Sequence, residues 1–296
     1  MAATSSQDPE LAKLQSFLAL APAGANVILQ LSQLPIGRGV VESTVESGSL
    51  YRHPVKRTRT TLSYIAIALW GTDDERLVVR AEVNRQHRHV RSSEDSPVDY
   101  DAFDPELQLW VAACMYRGVE DAVTFLYGPQ TAESLDVLYR HCARFATTLQ
   151  VPESMWPRDR AAFDHYWSRA EATVTMDGAT RAYLSGIASL TFLPRPVSLL
   201  AGPAHRFITA GFLPEALRRE LGLTWDARRE ARFQKVAAAA AWLNRATPRP
   251  LRAVPWNVAL WDAKRRIRHG RAIMWRLHIA VPGGSGLDRW RPSRRG

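Results

Sequence analysis

Apolar positions recur at three- and four-residue intervals along almost the whole chain, and no stretch alternates at the two-residue period of a half-buried strand. This periodicity predicts helices over 9–20, 24–34, 55–70, 73–91, 105–127, 132–149, 159–176, 178–188, 197–210, 214–221, 225–246 and 256–279. Several begin with explicit start signals. Asp8-Pro9 and Asp104-Pro105 each set a capping carboxylate before a proline at the first helical position. Thr72-Asp73-Asp74-Glu75 fits the capping box, and Gly71 suits the end of the helix before it. The polar, proline-bearing stretches SSEDSPVDYDAFD (92–104) and QVPESMWPR (150–158) read as loops. The expected fold is all-α, a multi-helix, bundle-like single domain.

Charge changes this picture at one end. Residues 248–296 carry 12 Lys/Arg against 2 Asp/Glu, whereas the other 247 residues carry 27 of each sign. The net charge of +10 therefore belongs to a basic C-terminal extension on a neutral body, 1–247. Without a nucleic-acid-binding motif, that distribution does not imply a nucleic-acid partner. The length leaves room for a core and a cofactor. The N-terminus, MAATSSQDPELAKL, shows no basic region followed by an apolar one, and no run of 18 apolar residues occurs. With two cysteines, Cys114 and Cys142, in helical segments, the expectation is a reduced, cytoplasmic protein.

The octet VNRQHRHV (83–90) places two histidines two residues apart. At roughly 100° per residue they point to different sides of a helix. His89 falls among Arg85 and Arg88, while His87 sits at the edge of the stripe formed by Val79, Val83 and Val90. The segments 55–70 and 73–91 are joined only by Gly71 and Thr72, so they should pack antiparallel. Counting outward from that turn brings Arg57 level with His87. Thr61 lies four residues after Arg57 on the same face. Two readings fit this inward trio. One is a structural polar network, His87 bonded to Thr61 and Arg57 paired with a carboxylate such as Asp104. The other is a haem pocket, with the imidazole on iron and the planar guanidinium on the propionates.

The stretches ANVILQLSQLPIGRGVVES, HPVKRTRTTLSY, VNRQHRHVRSS, YDAFDPELQLWVAA and LQVPESMWP, spread over about half the chain, resemble in order and spacing the catalytic domain shared by the MpaB-type and the latex-clearing (rubber) oxygenases. The resemblance implies an all-α fold holding one haem b, with His87 as the proximal iron ligand in a VN-x-x-H-x-x-V element and Arg57 and Thr61 as the family's Arg-x-x-x-Thr pair. It implies dioxygen as co-substrate and oxidative cleavage of a carbon–carbon double bond. Thr61 would bond near the reacting oxygen, and Arg57 would fix a propionate or tune the pocket charge. In some rubber oxygenases the residue before that threonine is a lysine able to ligate iron from the distal side; here it is Thr60, so no distal ligand carries over. The rubber oxygenases cleave polyisoprene outside the cell, and the fungal relative cleaves an isoprenoid side chain at an intracellular membrane. A small, hydrophobic, unsaturated substrate is the corresponding expectation here. A non-catalytic haem sensor or carrier shares the same sequence features.

The remaining candidates read as structural. His53 precedes Pro54 at a helix entry; His141, His165, His205 and His269 lack metal-site spacing. Cys114 and Cys142 suit packed thiols and Trp110 suits the core, while Gln30 is a polar residue in an apolar helix that could approach the pocket. In the extension, Trp256, Trp261, Ile267, Ile273 and Trp275 alternate with Lys264, Arg265, Arg266, Arg268 and Arg271 over 256–279. Such a helix could lie on an anionic membrane, or it could pack on the bundle and leave a solvated basic face.

Overall fold

A computed structural model describes residues 8–43, 45 and 48–273. Among them are fourteen α-helices: α1 (Pro9–Lys13), α2 (Ala23–Gln30), α3 (Leu34–Val41), α4 (Pro54–Trp70), α5 (Asp73–His87), α6 (Pro105–Tyr127), α7 (Ala132–Leu149), α8 (Arg160–Ala172), α9 (Gly178–Ala188), α10 (Arg195–Phe212), α11 (Glu215–Glu220), α12 (Ala227–Ala246), α13 (Arg249–Arg252) and α14 (Val254–Arg268). The described residues form no sheet; the one extended pairing is an isolated antiparallel bridge between Arg91 and Asp101. The all-α expectation holds. None of the described helices is by itself long and apolar enough to cross a membrane.

The start signals act as their chemistry requires. Asp8 accepts from the Glu10 amide at 2.9 Å and Asp104 from the Glu106 amide at 2.8 Å. Both halves of the Thr72–Glu75 capping box are present. Such caps each contribute about 1 kcal/mol. Gly71 serves α4 differently from a left-handed cap. Its backbone is extended, and a Cβ there would stand 2.5 Å from the Ile67 carbonyl oxygen. The turn is therefore too tight for any side chain.

Two α-helices, α3 and the four-residue α13, lie outside those the periodicity predicts. α3, LPIGRGVV, contains a proline and two glycines, which weaken any helical reading. The glycines are there for packing: Gly37 lies against Thr180 of α9, and Gly39 against the Tyr100 ring and Val90. Tertiary contact overrides local propensity. The predicted helix 73–91 ends at His87, and residues beyond it turn back, with Ser92 donating to the Tyr100 carbonyl at 2.8 Å and Ala102 to that of Val90 at 2.9 Å.

α6 forms the centre of the bundle, packed by α7, α12 and α2. Trp110 is fully buried, stacked on Trp167 at 5.0 Å, with its indole N–H on the Leu29 and Gln30 carbonyls. Cys114 and Cys142 are buried free thiols whose pKa burial raises.

Of the helix expected over 256–279, α14 covers Val254–Arg268, and one of its faces packs on the bundle. α14 stops at Arg268, where Gly270 takes φ +60° and the Arg271 amide closes the end on the Arg266 carbonyl at 2.8 Å. Trp256, Ala259, Ala263 and Ile273 are buried in the main core, so the face bearing Trp256 meets protein. Trp256 packs edge-on to Trp70 of α4 at 5.5 Å and donates to the Ser16 carbonyl at 2.8 Å. Arg59–Asp262 (2.9 Å) and Lys264–Glu75 (3.2 Å) tie α14 to α4 and α5. Residues 274–279 lie outside the described part.

Trp256→Ala should lower the stability to urea by about 3–5 kcal/mol, because the aromatic leaves a cavity that rigid helices cannot close. Trp261→Ala, on the opposite side of α14, should change it by no more than about 0.5 kcal/mol. Equal effects of the two would contradict the seating of α14.

Candidate functional site

α4 and α5 run antiparallel from the Gly71–Thr72 turn, which brings Arg57 and His87 to the same level. His87 is the last residue of α5. The irregular segment 88–104 then folds over it: Phe103 meets the imidazole edge-to-face at 6.2 Å, and Asp101 is near enough to act on its charge. α3 holds that segment in place, since Glu42 accepts from Ser96 at 2.8 Å and from Tyr100 at 2.9 Å.

The imidazole is kept neutral. Burial pushes the His87 pKa down to about 4, the Arg57 charge acts in the same direction, and Asp101 opposes both. Its Nδ1 is buried and has no hydrogen-bond partner among the described residues. The Asn84 Oδ1, one turn earlier on α5, is in the same condition. Other histidines behave otherwise. His141, His205 and His269 each place a ring nitrogen on a backbone carbonyl, at 2.6, 2.9 and 2.7 Å. His53, His89 and His165 are exposed.

Arg57 has a mixed environment. Its side chain remains exposed, yet burial lowers its pKa, with the Tyr183 phenol pulling the other way. Tyr183 belongs to α9, and the Tyr51 ring lies 4.9 Å from it. Thr61 follows Arg57 by one turn on the same face of α4 and is half-buried. Thr60 is buried, and its hydroxyl donates to the Arg57 carbonyl at 3.0 Å within its own helix. Gln30 donates to Asn26 at 2.7 Å, in a network that ends on the Cys114 carbonyl.

The structure thus gathers Arg57 and His87 with three residues that sequence reasoning missed, Asp101, Phe103 and Tyr183. No periodicity could have found these, since two lie in an irregular segment and one on a helix distant in the chain. The described residues contain no group of three or more His, Cys, Asp or Glu side chains able to hold a metal ion. A groove of about 370 Å³ lies on the outer side of the same segment, lined by His89, Tyr100 and Glu42 rather than by His87.

Residues 13–242 match the family described as ER-bound oxygenase mpaB/B'/rubber oxygenase, catalytic domain. The chain is 46% identical over 255 residues to an uncharacterised protein of Mycobacterium bovis and, to the same extent, to one of Mycobacterium tuberculosis; each match covers 86% of this chain and all of the relative. No solved structure matches it significantly. The chain belongs to the mpaB/rubber oxygenase catalytic-domain family.

In the ligand-free protein, the unfolded chain protonates position 87 near pH 6.5 and the folded chain only near pH 4. Stability to urea should therefore fall as the pH drops through that interval, and His87→Gln should remove this part of the slope. Arg57→Leu removes a positive neighbour and should raise the His87 midpoint in a histidine NMR titration. A wild-type midpoint at or above 6.5 would contradict the arrangement.

Proposed function

We propose that this member of the mpaB/rubber oxygenase family is a haem b-dependent oxygenase acting on a small unsaturated, isoprenoid or lipid-like molecule inside the cell, with His87 as the axial iron ligand. The observation that carries the reading is the state of His87: a neutral imidazole with a buried, unpartnered Nδ1 beside a guanidinium. A neutral ring offers a lone pair to a metal, and a depressed pKa keeps that lone pair free throughout the physiological range. The residues present therefore suit the group. When bound, haem would supply reductive activation of dioxygen, chemistry that no side chain provides.

The protein's own residues have separable roles. His87 would hold the iron, its ring fixed edge-on against Phe103. Arg57 would pair with a propionate, for which its planar fork is suited, and the aromatic rings of Tyr51 and Tyr183 would border the flat macrocycle. Thr61 would donate a hydrogen bond to the oxygen co-substrate or to a polar atom of the organic one. Thr60, bonded back to its own helix, has no free hydroxyl to offer. Such a site would keep water from a hydrophobic substrate whose double bond is the reacting group.

Replacing His87 with Ala should remove the Soret band while circular dichroism stays helical. Thr61→Ala should keep the band and slow oxygen consumption with an unsaturated isoprenoid by about tenfold, the effect of one hydrogen bond of ~1–1.5 kcal/mol. A His87→Ala protein with full haem would sink the ligand assignment. Haem without oxygen consumption on any unsaturated lipid would point instead to a sensor or carrier.

A further inference from the structure

Of the fifteen large apolar side chains exposed among the described residues, six fall between positions 242 and 261. Val254, Val258 and Trp261 line one face of α14 at i, i+4 and i+7, on the side opposite the buried Trp256, Ala259 and Ala263. Their exposures are 48, 56 and 56%. Trp242 and Leu243, in the last turn of α12, and Leu251 of α13 continue the surface around the preceding corner, at 65, 41 and 63%. Scattered exposed apolar residues need no explanation, but a run of six that includes two tryptophans does.

The charges on this corner have one sign. Arg245, Arg249, Arg265 and Arg268 are exposed, and the Arg265 guanidinium lies over the Trp261 ring at 5.2 Å. From 242 to 273 the sole carboxylate is Asp262, which is engaged by Arg59 at 2.9 Å and Arg266 at 2.8 Å. Glu75, the acid that reaches α14 from α5, is paired with Lys264.

We propose that this corner docks on the surface of an anionic lipid bilayer, with Trp242, Val258 and Trp261 entering the headgroup boundary and the arginines meeting lipid phosphates and carboxylates. Aliphatic and indole side chains interleaved with arginine match such an interface on both counts. A second copy across a two-fold axis would set the same arginines against each other. Residues 274–296 carry five arginines and one aspartate, so they are of like charge to the corner. A nucleic-acid backbone would satisfy the arginines and leave the valines and leucines unburied. The docking surface does not depend on the oxygenase reading, since none of these residues is among those assigned to the haem.

Co-sedimentation of the full-length protein with mixed phosphatidylcholine–phosphatidylserine vesicles, and with pure phosphatidylcholine vesicles, tests this. The wild type should bind the mixed vesicles. V258S/W261S should lose binding with its urea stability unchanged, and R265Q/R268Q should weaken binding by roughly fivefold per charge removed. Failure of the wild type to bind overturns the proposal. So does binding that V258S/W261S leaves intact, which would be charge attraction alone. A self-association of the wild type that V258S/W261S abolishes, without vesicle binding, would assign the corner to a second copy and likewise overturn it.

Discussion

The turn at Gly71 and Thr72 sets the register on which the site depends. Gly71 accepts a backbone path so close to Ile67 that no Cβ fits, and Thr72 starts the next helix at once through its capping box. No slack remains between α4 and α5. A longer connection would let the helices slide, and each residue of slippage moves a side chain about 1.5 Å along the axis and 100° around it. With the register fixed, the guanidinium of one helix lies near enough to the imidazole of the other for its charge to act on it. Their like charge, together with burial, is what keeps His87 neutral.

The surrounding elements hold that pair from two sides. On one side, α3 grips segment 88–104 through Glu42, and the segment lays Phe103 and Asp101 on His87. On the other, α14 covers the back of α4 with Trp256 and ties down Arg59, while Glu82 of α5 accepts from the buried Ile273 amide at 3.1 Å. The basic C-terminal stretch is thus wedged against both helices of the hairpin. Its burial explains why one side of an amphipathic helix is spent on packing, and it leaves a second apolar stripe outside.

Most of this architecture was legible in the sequence because helical periodicity and caps are local signals. The short Gly71–Thr72 link even gave the pairing of α4 with α5. What stayed hidden depends on contacts between distant residues. α3 forms despite its glycines because Thr180 and Tyr100 need them small. The choice of which α14 face turns inward is made by Trp70 and Ser16, some two hundred residues earlier in the chain. Tyr183 reaches Arg57 from a helix that no spacing rule links to α4. In the site, the inward placement of His87 followed from helical phase, whereas His89 is exposed in the turn beyond the end of α5. Arg57 acts on the His87 charge as the short link between their helices implied, while its other neighbour, Tyr183, had no sequence signal.

The central claim is that His87 exists in this neutral, unpartnered state to hold a haem. The most direct measurement is a pyridine haemochromogen assay, with iron analysis, on wild-type protein produced in haem-replete cells. The account predicts haem b in a one-to-one ratio with the chain. Protein that is soluble, folded and free of both haem and iron, and that takes up no haem when it is added, would contradict it.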